Sequence, residues 1–269
     1  MNDFQILLTN DDGIQSPGLW AAAEALDELG WVTVVAPRDQ ASGTSRSMPS
    51  TSDGEIRQEQ VSVNGKEWNV HAVGGTPAQA VLHGMLDIMP QKPDLVVSGI
   101  NYGLNVGSGV TVSGTVGAAL EASAAGIPSL AISLEVDRSD HFSYSTEVDF
   151  QAASYFTQIF SNILLSKKMP DDVYVLKVEV PASATKETPW KTSKLSPFRF
   201  YEPIPSRINA ELGQKGIGYD VSEIWKESEP GTDIYDVLVE GLVAVTPLSL
   251  DLTSRINLEE LESFIKNKI

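Results

Sequence analysis

The chain has 269 residues, enough for one large domain or a domain with an appendage and too few for two full domains. Hydrophobic residues make up 42% and charged residues 20%, which supplies a core and excludes global disorder. A formal charge of −17 argues against a duplex nucleic acid or an anionic membrane as partner, and the absence of cysteine excludes disulfides, thiolate metal sites and thiol nucleophiles.

The segment Met1-Asn2-Asp3-Phe4-Gln5 lacks the basic and long apolar stretches of a signal peptide, and no run is long and apolar enough to span a bilayer. A cytoplasmic protein with no membrane contact is the expectation. Ile6-Leu7-Leu8-Thr9 predicts a strand, ended by Asn10-Asp11-Asp12-Gly13. Ser16 as N-cap and Pro17 at the first position open a helix, which carries Leu19, Ala22, Ala23, Leu26 and Leu29 at helical spacing and is expected to stop at Gly30. Trp31 to Val35 predicts the next strand. Residues 50–75 are strand-like and polar, with a hairpin around Asn64-Gly65.

Thr76-Pro77-Ala78-Gln79 has the capping-box pattern and opens a helix through Met85. Leu95-Val96-Val97 predicts a strand, followed by Ser98-Gly99-Ile100-Asn101 and a Gly-rich loop. A small-residue helix over Val116 to Ala125 stops at Gly126, and Ser129 to Ser133 is a strand. A helix over 150–165 and a strand over 173–176 follow. Apolar strands alternating with helices predict an α/β fold: a Rossmann-like, mostly parallel sheet with helices on both faces. After Pro181 the pattern gives way to polar loops and hairpins, and Leu258, Leu261, Phe264 and Ile265 mark a terminal amphipathic helix. The expected organisation is a catalytic core over 1–194, a hairpin extension over 195–250 and a terminal helix over 251–269.

In an open parallel sheet, ligands bind beyond the carboxyl ends of the strands. Those ends offer Asn10, Asp11 and Asp12, then Ser42, Gly43, Thr44 and Ser45, then Asn101 and Asn105. The donors are all oxygen, which suits a hard divalent ion such as Mg²⁺ or Mn²⁺. A plain Asp-Asp-Gly turn is an equally good reading of the dipeptide by itself. Ser113-Gly114-Thr115 precedes a helix, where backbone amides and the helix dipole favour a phosphate. No lysine follows as a Walker loop requires, and the dinucleotide fingerprint is absent after the first strand. His71, His83 and His141 stand in no metal-ligand spacing and read as structural or surface residues.

Thr9 to Ile14, Ala36-Pro37 followed by Ser42-Gly43, Gly75-Thr76-Pro77, Ser98 to Gly107, Ser113 to Val116 and Val245-Thr246-Pro247-Leu248 stand in one order that closely resembles the SurE (survival protein E) family. That family comprises metal-dependent 5′/3′-nucleotidases. The resemblance implies one divalent ion per subunit, Mg²⁺ or Mn²⁺, held by Asp11, Asp12, Ser42 and Asn101. It implies phosphate contacts at Asn10, Gly43, Thr44, Ser113, Gly114 and Thr115, and catalytic roles for Asp11 and Asp12. The implied activity is hydrolysis of nucleoside 5′- and 3′-monophosphates, with tolerance for other phosphate monoesters. The implied assembly is a homodimer or homotetramer joined through the C-terminal hairpin and helix. The chain departs from the family pattern at Gln79, Ala80 and Arg46, which bears on substrate preference. Two competing readings are a non-catalytic nucleotide-binding regulator, disfavoured by the paired aspartates, and a nucleotide-sugar glycosyltransferase, for which the chain is too short.

Overall fold

The computed structural model describes residues 4–141, 143–211 and 216–267; Met1 to Asp3 and the last two residues of the expected terminal segment lie outside it. In chain order the elements are β1 (Phe4–Thr9), α1 (Pro17–Asp27), β2 (Gly30–Pro37), β3 (Ile56–Val63), β4 (Lys66–Val73), α2 (Pro77–His83), β5 (Leu95–Tyr102), α3 (Gly114–Ala124), β6 (Ser129–Leu134), α4 (Gln151–Ser166) and β7 (Val175–Val180). They continue as β8 (Trp190–Thr192), β9 (Tyr201–Ile204), α5 (Ser206–Glu211), β10 (Gly218–Val221), α6 (Asp233–Leu238), β11 (Val243–Leu248) and α7 (Leu258–Lys266).

The main sheet has nine strands in the order β3-β4-β2-β1-β5-β6-β7-β11-β8. From β4 through β2, β1, β5 and β6 to β7 every pair is parallel; β3 and β11 run antiparallel to β4 and β7. Period-two alternation sorts the strands' side chains onto two faces. Ile6, Leu8, Val34, Leu95, Val97, Ile132 and Val178 pack beneath α1 and α4. Leu7, Val35 and Val96 face α2 and α3 on the other side. Because both faces are covered, these strands are continuous apolar runs. Truncating one such residue, as in Leu8→Ala, costs about 2–5 kcal/mol.

Some boundaries differ from the sequence reading, each for a physical reason. α1 ends at Asp27 with Glu28 as its C-cap, and Gly30 opens β2 in register with Phe4. Ser16 holds the N-cap position without a side-chain bond, so Pro17 and the backbone start the helix. The capping box of Thr76 and Gln79 forms in full. The Asn64-Gly65 turn closes the β3–β4 hairpin with both residues at positive φ. β5 runs on to Tyr102, and its register against β6 shifts between Ser98 and Asn101. Beyond Pro181 the chain is composite: β9 and β10 form a separate antiparallel hairpin, whereas β11 enters the main sheet between β7 and β8.

Strand order fixes where a ligand can sit. The chain leaves β1 toward β2 on one side and returns to β5 on the other. The crevice between the carboxyl ends of β1 and β5 is therefore the topological switch point.

Candidate active site

The turn after β1 is held by its own side chains. Asn10 is fully buried; its Nδ2 donates to the Gly13 carbonyl at 3.0 Å and its Oδ1 accepts from the Gly13 amide at 3.2 Å. That closure presents Asp11 and Asp12 together at the switch point, both almost completely buried. The Thr115 hydroxyl donates to Asp11 Oδ1 at 2.5 Å. Gly114 lies so close that a Cβ there would sit 2.7 Å from the Asp11 Cβ, so α3 reaches the aspartate only because this residue is glycine. Asp12 Oδ2 accepts from the Tyr102 amide at 3.1 Å and Oδ1 from Gln40 Nε2 at 3.1 Å.

Burial raises the Asp11 pKa, opposed by the Thr115 hydroxyl and the first amides of α3. Burial also drives Asp12 well above the ordinary carboxylate range, and the neighbouring charge of Asp11 pushes it further. Among the described residues, no lysine or arginine forms an ion pair with either aspartate. Gln40 Nε2 also reaches Ser42 Oγ at 3.2 Å, which places the Ser42 hydroxyl beside Asp12. Asn101 lines the same cleft from the end of β5, its Nδ2 donating to the Gly103 carbonyl at 2.6 Å and leaving Oδ1 as an acceptor. Asp11, Asp12, Ser42 and Asn101 thus form an all-oxygen donor set that fits a hard divalent cation.

The cleft has a volume of about 280 Å³. Of the residues expected from sequence, Asp11, Ser42, Gly43, Asn101 and Ser113 line it. Asn10, Asp12, Thr44, Gly114 and Thr115 stand behind this lining: Thr44 donates to the Ala41 carbonyl at 2.6 Å, and Thr115 is engaged by Asp11. Ser113 caps α3, its Oγ accepting from the Val116 amide at 3.1 Å. Two of the three departures from the family pattern have polar partners, and Ala80 is buried in the core. Gln79 completes its capping box and bonds Ser52, and Arg46 pairs with Glu121 at 2.5 Å.

Several wall residues carry no local sequence signal. His141, Tyr201 and Tyr219 come from three distant segments, and Arg199 joins them in the lining. Tyr219 stacks on His141 at 6.0 Å between centroids and 25° between planes, and Tyr201 meets His141 edge-on at 5.8 Å. His141 Nδ1 and the Tyr219 hydroxyl are 2.8 Å apart. Arg138 pairs with Asp220 at 3.0 Å and lies over the Tyr219 ring, which ties the β9–β10 hairpin to the segment before His141. The Tyr144 hydroxyl donates to the Asp12 carbonyl at 2.6 Å and His141 supplies a carbonyl to Gln40, so His141 and Tyr144 brace the aspartate turn. Only the contact between remote segments turns these residues into a site.

Residues 6–201 match the family described as Survival protein SurE. The chain is 40% identical over 263 residues to the 5′-nucleotidase SurE of Thermococcus gammatolerans, covering 97% of this chain and 96% of that one. It is 40% identical over 261 residues to the 5′-nucleotidase SurE of Archaeoglobus fulgidus, covering 97% of each. The crystal structure of the SurE protein from Aquifex aeolicus superposes with a TM-score of 0.74 at 33% identity, covering 98% of this chain and all of that one.

Proposed function

This chain belongs to the SurE family, and from that premise we propose that it is a 5′-nucleotidase, a phosphomonoester hydrolase that releases phosphate from nucleoside 5′-monophosphates. One observation carries the reading: two adjacent buried carboxylates, with no basic partner among the described residues, stand at the switch point, Asp11 lining the cleft with Ser42 and Asn101 and Asp12 set just behind it. Hydrolysis of 3′-monophosphates and of other phosphate monoesters belongs to the same proposal.

Asp11, Asp12, Ser42 and Asn101 would hold one divalent ion, Mg²⁺ or Mn²⁺, per subunit. When bound, that ion supplies charge neutralisation for the phosphoryl oxygens and polarises phosphorus. The remaining work falls to side chains. Asp11 lines the cleft with one oxygen fixed by Thr115, and it serves either to activate the attacking water or to attack phosphorus directly. Asp12 would help hold the cation, its carboxylate oriented by Tyr102 and Gln40. Ser113 and Gly43 offer a hydroxyl and a backbone amide to phosphate oxygens. Asn10, Thr44, Gly114 and Thr115 act mainly by holding the aspartate turn, its neighbouring loop and the helix start in place. Arg199 draws the anionic substrate to a protein whose overall charge of −17 would otherwise repel it.

Exposed Leu252, Ile256, Leu258 and Ile265 on and before α7 support self-association as a homodimer or homotetramer. Among the described residues no helix is long and apolar enough to cross a membrane. The decisive experiment measures phosphate release from 5′- and 3′-nucleoside monophosphates and p-nitrophenyl phosphate with Mg²⁺, Mn²⁺ or chelator, alongside Asp12→Ala. The reading expects metal-dependent release that the variant loses. A folded, metal-loaded protein releasing no phosphate would point instead to the non-catalytic binding module.

A further inference from the structure

A second buried charge cluster lies beside the cleft and takes no part in the chemistry above. Lys177 and Glu179 alternate on β7, so both side chains leave the same face of the sheet. Both are fully buried, as is Asp233 at the start of α6. Lys177 Nζ lies 3.1 Å from Asp233 Oδ2 and 3.3 Å from Glu179 Oε1. Each carboxylate has a further donor from the Gly-rich loop after β5. The Asn105 amide donates to Glu179 Oε2 at 2.7 Å, and the Gly107 amide donates to Asp233 Oδ2 at 2.9 Å. The Asn105 side chain donates to Ser133 Oγ at 3.0 Å, and that hydroxyl donates to Glu179 Oε1 at 3.3 Å. Asp233 Oδ1 accepts from the amides of Ser196 and Ile234, at 2.8 and 3.0 Å.

The loop gripped at 105 and 107 is a wall of the cleft, which Gly103, Leu104, Asn105, Val106 and Gly109 all line. Its two ends carry Asn101 and Ser113. A loop so rich in glycine has a large conformational entropy to lose and does not hold one shape unaided. Gly107 sits at φ 59°, and a Cβ there would meet the Phe198 carbonyl at 2.3 Å, so its path is tight as well as irregular. Charged acceptors give stronger bonds than neutral ones, and a buried amide without a partner is costly.

We propose that Lys177, Glu179 and Asp233 form a positioning network that clamps residues 103–109 by the amides of Asn105 and Gly107 and thereby sets the affinity of the cleft for its substrate. Lys177 offsets one of the two negative charges and is shared between both carboxylates, each of which also accepts a loop amide. None of the three side chains lines the cleft, so the network acts through the loop. The proposal rests on the nucleotidase reading for its kinetic consequence, while the clamp itself is a separate physical claim.

The experiment compares the full-length wild-type protein with Glu179→Ala, Glu179→Gln and Asp233→Asn by amide hydrogen exchange and by steady-state kinetics on a nucleoside 5′-monophosphate. Glu179→Ala is expected to speed exchange at Asn105 at least tenfold, leave the β1 and β5 core amides protected, and raise KM about tenfold with a smaller change in kcat. Glu179→Gln keeps an acceptor for the Asn105 amide and is expected to recover most of the affinity. Asp233→Asn tests the second grip at Gly107 should Glu179→Ala fail to fold. Unchanged loop exchange in a folded variant would refute the clamp. Faster loop exchange with KM unchanged would leave a purely structural network and overturn the positioning role. An inactive wild-type protein whose loop exchange still responds as expected would fault the nucleotidase reading and leave the clamp standing.

Discussion

Two pairs of buried carboxylates stand near one cleft, and they are built differently. Glu179 and Asp233 share the ammonium of Lys177 and accept loop amides. Asp11 and Asp12 are equally buried and closer in sequence, yet their partners are neutral: a hydroxyl, backbone amides and the Gln40 side chain. Burial raises the pKa of Glu179, but the Lys177 charge and the Asn105 amide pull it back. Asp12 has no such cation, and the charge of Asp11 adds to the effect of burial. A pair that brings its own counter-charge is built for structure. A pair that lacks one is kept at a cost in stability, which accords with the cation-holding role proposed for it.

The largest effect that could break this comparison is catalytic. Asp12→Asn should lower kcat for phosphate release by at least about a thousandfold, because it weakens the cation anchor. Thermal unfolding of the metal-free variant should nevertheless occur at or above the wild-type temperature, since one of two repelling charges is gone. Loss of activity through unfolding would contradict the assignment. Removing the counter-charge of the other pair should act in the opposite sense. Lys177→Met leaves two buried carboxylates without their counter-charge and should destabilise the fold by about 3–5 kcal/mol, read by denaturant unfolding. A Lys177→Met protein as stable as wild type would erase the distinction between the pairs.

The smallest effect concerns the aromatic wall. Burial lowers the His141 pKa, and the nearby Arg138 charge lowers it further, while the Val136 backbone and Asp140 act against the shift. A folded-state value below the ordinary one means stability present above about pH 6.5 and lost as pH falls through the folded value. Acidification should therefore loosen the packing of His141 against Tyr219 and Tyr201. His141→Gln should flatten the dependence of the unfolding temperature between about pH 5 and pH 8. An unaltered pH profile would remove His141 as its source.

The part of the cleft lining that the sequence suggested was legible because those residues lie at or shortly after the ends of apolar strands. Asn10-Asp11-Asp12 ends β1, Ser42-Gly43 follows β2, and Asn101 lies at the end of β5, so local pattern plus the switch-point rule places them together. The capping box at Thr76 and the hairpin at Asn64-Gly65 were legible for the same reason: their chemistry is local. The wall was not. His141, Arg199, Tyr201 and Tyr219 share no spacing and meet only because the β9–β10 hairpin folds back over the strand ends. The buried lysine was hidden by its neighbours. In Val175-Leu176-Lys177-Val178-Glu179-Val180 the charged residues break an apolar run, so the sequence reading ends the strand at Leu176, and alternation alone would assign Lys177 and Glu179 to a solvated face. Asp233 and the loop amides cover that face, and a pairing across 56 residues leaves no trace in a local pattern.

The most direct test of the contrast between the two pairs is calorimetric titration of Mn²⁺ into the metal-free protein and its Asp12→Asn variant. If Asp11 and Asp12 form the cation-receiving pair, the wild-type protein binds one ion per chain and the folded variant loses that binding. A folded variant that binds Mn²⁺ as tightly and with the same stoichiometry as wild type would show that the pair at the switch point is not the metal site.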